Sequence, residues 1–179
     1  MYKIDVVFSK LHEMYISDFL CAVGVYVIWD AKAKARPTYI GEGNILKRFT
    51  DHVKRDGRTF AHPWDGYVAA VKGSTRDVHK GESKAVERLL LEIADAIDCC
   101  PSANIHPGHS SSVLSYCQNE QLRVVISGYD PFLPPRSSKI MTRPKVINVR
   151  AGDDQPYDIA HDWRSRRRRQ PVIKKSWWA

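Results

Sequence analysis

Two β-forming tripeptides stand close together ahead of an amphipathic helix in the segment GVYVIWDAKAKARPTYIGEGNILKRFTDH, residues 24 to 52. Gly24-Val25-Tyr26 opens a run whose Val25, Val27 and Trp29 alternate with Tyr26 and Ile28. Apolar residues on both faces predict a central strand, covered on two sides. Thr38 to Gly41 reads as a second strand after a basic connection, and the Gly41 and Gly43 pair ends it. Asn44 is a good helix cap, so a helix is expected from Ile45 to about Arg55 with an apolar stripe of Ile45, Leu46, Phe49 and Val53. At about 100° per residue, Arg48 and His52 fall together at one border of that stripe. The segment therefore brings tyrosine, arginine and histidine to one small sheet and its first helix.

Further along, Tyr67 to Val71 predicts a third strand. Glu82 to Ile97 is the clearest helix, with Val86, Leu89, Leu90, Ile93 and Ile97 at helical period and Pro101 as a stop. Leu122 to Ser127 reads as a fourth strand and Lys145 to Val149 as a short one. Near the start, Leu11, Met14, Tyr15 and Phe19 suggest a short helix over Ser9 to Phe19. The expected class is α/β (α+β), with a small, mainly antiparallel or mixed sheet of three to four strands flanked by helices.

The net charge of +8 belongs largely to the end of the chain. Seven of the 28 basic residues lie between Arg164 and Ala179, a stretch without acids, which leaves 21 bases against 20 acids before it. Such a run is a solvated tail or a polyanion-binding arm. No stretch reads as a membrane span or signal peptide. Cys21, Cys99, Cys100 and Cys117 form no CxxC pair and look like reduced thiols of a cytoplasmic or nucleoid-associated protein. His106 and His109 near Cys99, Cys100 and Cys117 match no common zinc spacing.

Taken in order, these residues resemble the GIY-YIG endonuclease family. That family carries a GIY-type tripeptide, a YIG-type tripeptide, an arginine on the following helix, often a histidine or tyrosine four residues on, then a glutamate on a later helix and an asparagine after it. Gly24-Val25-Tyr26 and Tyr39-Ile40-Gly41 match the tripeptides, Arg48 and His52 the helical pair, and Asn104 the late asparagine. The resemblance covers roughly residues 23 to 104. Glu42 departs from the excision-repair branch, which has a lysine there. For the metal-binding glutamate, Glu87 is placed better on the helical wheel, whereas Glu92 fits some branches by its spacing to Asn104.

The resemblance implies a GIY-YIG nuclease-like fold over residues 23–130, between a helical extension (1–22) and a proline-rich, basic arm (131–179). It implies Mg²⁺-dependent (or Mn²⁺-dependent) cleavage of double-stranded DNA, of a restriction-like or mobile-element type. Catalysis would rest on Tyr26, Tyr39, Arg48, His52 and Glu87, with Glu87 the metal ligand. Substrate contacts are expected from Gly41, Lys47, Lys54, Arg55 and Asn104, and from Arg166, Arg167 and Arg168 in the tail. A homodimer is one way to cut both strands. The competing expectations are a nucleic-acid-binding module that keeps the fold without cutting, and a relative acting on RNA.

Overall fold

The computed structural model describes residues 2–14, 23–30, 35–55, 64–73, 80–104, 113–116 and 121–151. They form a mixed α+β fold in which two helices flank a six-stranded sheet. The strands are β1 (Tyr2–Lys10), β2 (Val23–Asp30), β3 (Tyr39–Asn44), β4 (Trp64–Gly73), β5 (Gln121–Gly128) and β6 (Lys145–Arg150), in the order β3-β2-β4-β1-β5-β6. All neighbours pair antiparallel except β1 and β5, which run parallel. The helices are α1 (Ile45–Arg55) and α2 (Lys80–Ala96).

The sheet is larger than the three to four strands expected. Tyr2–Lys10, which was to lead into a helix, is an interior strand between β4 and β5. Tyr2, Ile4, Val6 and Phe8 alternate, and the last three are buried. That is the period of a strand, not a helix. A short 3₁₀ turn at Leu11–Glu13 follows, and Tyr15 to Phe19 lie outside the described residues. The third strand, expected from Tyr67, already begins at Trp64 as β4.

At the other end, the proline-rich residues after Pro131 pack on the core. Trp29 Nε1 donates to the Pro131 carbonyl at 3.1 Å, and the Tyr67 hydroxyl donates to that of Leu133 at 2.7 Å. β6 then completes the sheet on its far side. The sheet thus spans both boundaries expected near residues 22 and 130.

The two helices cover opposite faces. Val86, Leu89, Leu90, Ile93 and Ile97 join Val25, Val27, Ile40, Ala69 and the inner residues of β1 in the larger core. On the other face Ile45 packs with Tyr26, Ile28 and Val68. β2 is buried on both sides, as its sequence requires. No helix among the described residues is long and apolar enough to cross a membrane.

Burying Ile4, Val6 and Phe8 is worth roughly 1.5–3 kcal/mol each, a sum comparable to the net stability of an ordinary domain, about 5–15 kcal/mol. A chain beginning at Val23 should therefore lose cooperative thermal unfolding in circular dichroism. A sharp transition near that of the full chain would contradict this placement of β1.

Candidate functional site

Tyrosine rings reach β3 from two strands. Tyr26 on β2 stands opposite Gly41, and Tyr39 stands opposite Ile28, so both tyrosines and Gly41 share the α1 face. The ring centroids are 6.0 Å apart, tilted by 31°. Gly41 is what allows this. A Cβ there would come within 2.5 Å of the Tyr26 hydroxyl oxygen and 2.6 Å of Tyr39 Cε1. The space a side chain would need is filled by the rings.

The tyrosines differ in environment. Tyr26 is wholly buried, whereas Tyr39 is partly exposed. Burial, then the neighbouring Tyr39 hydroxyl, pushes the Tyr26 phenol far above its ordinary 10, although Arg48 opposes the shift. Burial and the negative charge of Glu87 also raise Tyr39, while Arg48 and a hydrogen bond with Tyr26 draw it back. Tyr39 is thus the more accessible hydroxyl, and it has two groups that favour its ionised form.

Arg48 reaches the same place from α1. Gly43 adopts φ 122°, a left-handed conformation that suits glycine, where the chain leaves β3 for the helix. Asn44 then caps α1, its Oδ1 accepting from the Lys47 amide at 2.9 Å. One turn in, Arg48 folds back over Gly43, and its Nε donates to the Glu42 carbonyl at 3.2 Å. Arg48 is otherwise exposed.

Glu87 comes from α2, on the opposite side of the sheet. The edge position of β3 lets the two sides meet: Glu42 alternates with Tyr39 and Gly41 and so faces α2. There its Oε2 accepts from Ser83 Oγ at 2.8 Å. Burial and the adjacent Glu42 charge raise the Glu87 pKa to about 7, with Arg48 and Lys84 opposing. The Glu87 carboxylate has no hydrogen bond or ion pair among the described residues. Glu92, the competing position, instead accepts from Arg88 Nε at 2.8 Å. It is not among the charges that shift either tyrosine.

The fold therefore gathers Tyr26, Tyr39, Arg48 and Glu87, with Gly41 as their floor. Asn104, an expected substrate contact, clamps the edge strand. Its Oδ1 accepts from the Ile40 amide and its Nδ2 donates to the Ile40 carbonyl, both at 2.8 Å. The side chain satisfies the outer backbone of the edge strand as a neighbouring strand would. Lys47 is exposed on α1. The side chains of His52, Lys54 and Arg55 lie outside the described residues, as do Arg166, Arg167 and Arg168.

Sequence reasoning missed Ser83 and the role of Glu42. The position of Glu42 next to Gly41 was visible, but its partner is 41 residues away. Among the described residues, no group of three or more His, Cys, Asp or Glu gathers as metal ligands. Comparison with models of protein families, with curated proteins and with solved structures finds no match to the chain.

The raised Glu87 pKa has a measurable consequence. A carboxyl that holds its proton more tightly when folded contributes stability below its ordinary 4.5, and that contribution is lost as pH rises through about 7. In EDTA, Glu87→Gln should be more stable than wild type by on the order of 1–3 kcal/mol at about pH 8, with the gap closing towards about pH 5. Urea titrations across that range check this. A pH-independent difference would contradict the described environment of Glu87.

Proposed function

We propose that this chain is a metal-dependent endonuclease of the GIY-YIG type, hydrolysing phosphodiester bonds in DNA. The reading is supported above all by the gathering of Tyr26, Tyr39, Arg48 and Glu87 at one edge strand, in the order the family resemblance implies. The mixed sheet is larger than that family's small sheet, so β1, β5 and β6 are an elaboration around the β2–β3–α1–β4–α2 unit.

Phosphodiester hydrolysis needs an activated water, stabilised charge on the phosphate and a leaving oxygen that is helped to depart. Tyr39 is assigned to the attacking water, because it is the partly exposed hydroxyl. Tyr26 holds Tyr39 from behind through their hydroxyl contact and helps it carry negative charge. Arg48 is anchored through Nε on a backbone carbonyl, which leaves its terminal nitrogens to take non-bridging phosphate oxygens. His52 enters by its place in the sequence, as the acceptor that passes the proton on.

Glu87 is the residue to hold Mg²⁺ or Mn²⁺. Among the described residues its carboxylate has no hydrogen bond or ion pair, and Glu42 adds a second negative charge close by. Hard divalent cations are held by one or two carboxylates, with water and phosphate oxygens completing the shell. When bound there, the cation would stabilise charge on the phosphate and on the leaving oxygen. Lys47, Lys54 and Arg55 on α1 and the arginines at 166–168 are assigned to the DNA backbone, where they add affinity rather than sequence selection.

Supercoiled plasmid with Mg²⁺ or Mn²⁺ tests the reading. Wild type should nick or linearise it. Arg48→Ala and Glu87→Ala should each slow cleavage at least about 10²-fold with DNA affinity largely intact, and Glu92→Ala should cut near the wild-type rate. No cleavage by wild type on several DNAs overturns the proposal. Activity kept in Glu87→Ala but lost in Glu92→Ala moves the metal ligand to Glu92.

A further inference from the structure

Glu42 touches both helices from a single position on the edge strand. Its carboxylate accepts from Ser83 on α2 at 2.8 Å, while its carbonyl accepts from Arg48 on α1 at 3.2 Å. Ser83 is wholly buried, so its hydroxyl is placed by packing rather than by solvent. Ser83 and Glu87 are four residues apart on α2, one turn of the same face. Fixing Ser83 therefore fixes the turn that carries Glu87. Nothing in the motif order of this chain assigns a part to either Ser83 or Glu42.

We propose that Glu42 is a hub and its bond to Ser83 a latch. Together they set how far Glu87 on α2 stands from Arg48 on α1 and from the tyrosine pair. Glu42 and Ser83 are positioning residues for the proposed cleavage, acting through Glu87 and Arg48. The latch takes its purpose from the nuclease reading, but its geometric effect exists apart from it. Without the latch, α2 rests on β3 mainly through apolar packing such as that around Ile40, which resists separation far better than it resists sliding. With it, a directional bond fixes the register of helix on strand. Small misplacements matter in such a site, since a shift of ~1 Å in a reacting group costs up to about 10²-fold in rate.

The test compares Ser83→Ala and Glu42→Ala with the conservative Ser83→Thr and Glu42→Gln, which keep a donor and an acceptor. Two readouts are taken on the full chain: plasmid cleavage split into kcat and KM, and the NMR signals of the Tyr39 ring, which feel the Glu87 charge. Glu87→Gln supplies the reference for a tyrosine that has lost that charge. The alanine variants should lower kcat at least about tenfold with little change in KM, and should move the Tyr39 signals towards their Glu87→Gln positions. Threonine should restore both; glutamine, which keeps the acceptor but not the charge that also reaches Tyr39, should recover most of kcat.

Alanine variants with wild-type kcat and unmoved Tyr39 signals overturn the latch. So do conservative variants that behave no better than alanine. Should Ser83→Ala fail to fold, the partly exposed Glu42 pair decides alone. Should wild type cut no DNA, the nuclease reading falls, while the Tyr39 signals still decide whether the latch positions Glu87.

Discussion

β3 is an edge strand, and the outward backbone groups of an edge strand need partners that no further strand supplies. Asn104 provides them at Ile40 with both ends of its amide. Ala103 donates its amide to the Thr38 carbonyl at 2.8 Å, continuing the cover towards the start of β3. Beyond Ile40, charges from the two faces of the sheet act on one another at this edge, Glu87 on both tyrosines and Arg48 on Glu87. Tyr26 and Tyr39 stand on one face, Glu42 and Glu87 on the other. Arg48 lies over Gly43, where the strand turns into α1. An interior strand in the place of β3 would keep these groups apart.

Electrostatics make the same gathering costly. Two carboxylates and two buried or half-buried phenols surround one exposed guanidinium, and Tyr26, Tyr39 and Glu87 are each held towards the neutral form. Burial is the largest cause in each case. A bound divalent cation would reverse that balance by favouring the ionised Glu87 and, through it, the site as a whole. For stability alone the raised Glu87 carboxyl is a cost, one that the proposed cation site would offset.

Much of this was readable in the chain, where local pattern decides structure. α1 begins and ends as Asn44 and the stripe from Ile45 dictate, and β2 is buried on both faces because both of its faces are apolar. Helical phase favoured Glu87 over Glu92 without closing the choice; Glu92 is paired with Arg88, whereas Glu87 has no hydrogen bond or ion pair among the described residues. β1 was equally legible, with Ile4, Val6 and Phe8 in strict alternation. The helical spacing of Leu11, Met14, Tyr15 and Phe19 drew the reading away from it. Long-range contacts carried no such signal. The parallel pairing of β1 with β5, the clamp of Asn104 on Ile40 and the bond of Ser83 to Glu42 all join residues more than 40 positions apart. A lone Ser or Asn in a sequence does not announce its partner. The packing of the segment after Pro131 was hidden for the same reason, since the groups it satisfies are Trp29 and Tyr67.

The central claim is that Glu87, meeting Arg48 and the tyrosines around the edge of β3, holds the divalent cation. Crystals soaked in Mn²⁺ and measured at an anomalous wavelength test it directly. The account predicts a peak at about 2.0–2.3 Å from a Glu87 carboxylate oxygen, close to Tyr39 and Arg48 and absent in Glu87→Gln. A peak at Glu92, or none at Glu87 in crystals that bind Mn²⁺ elsewhere, would contradict it.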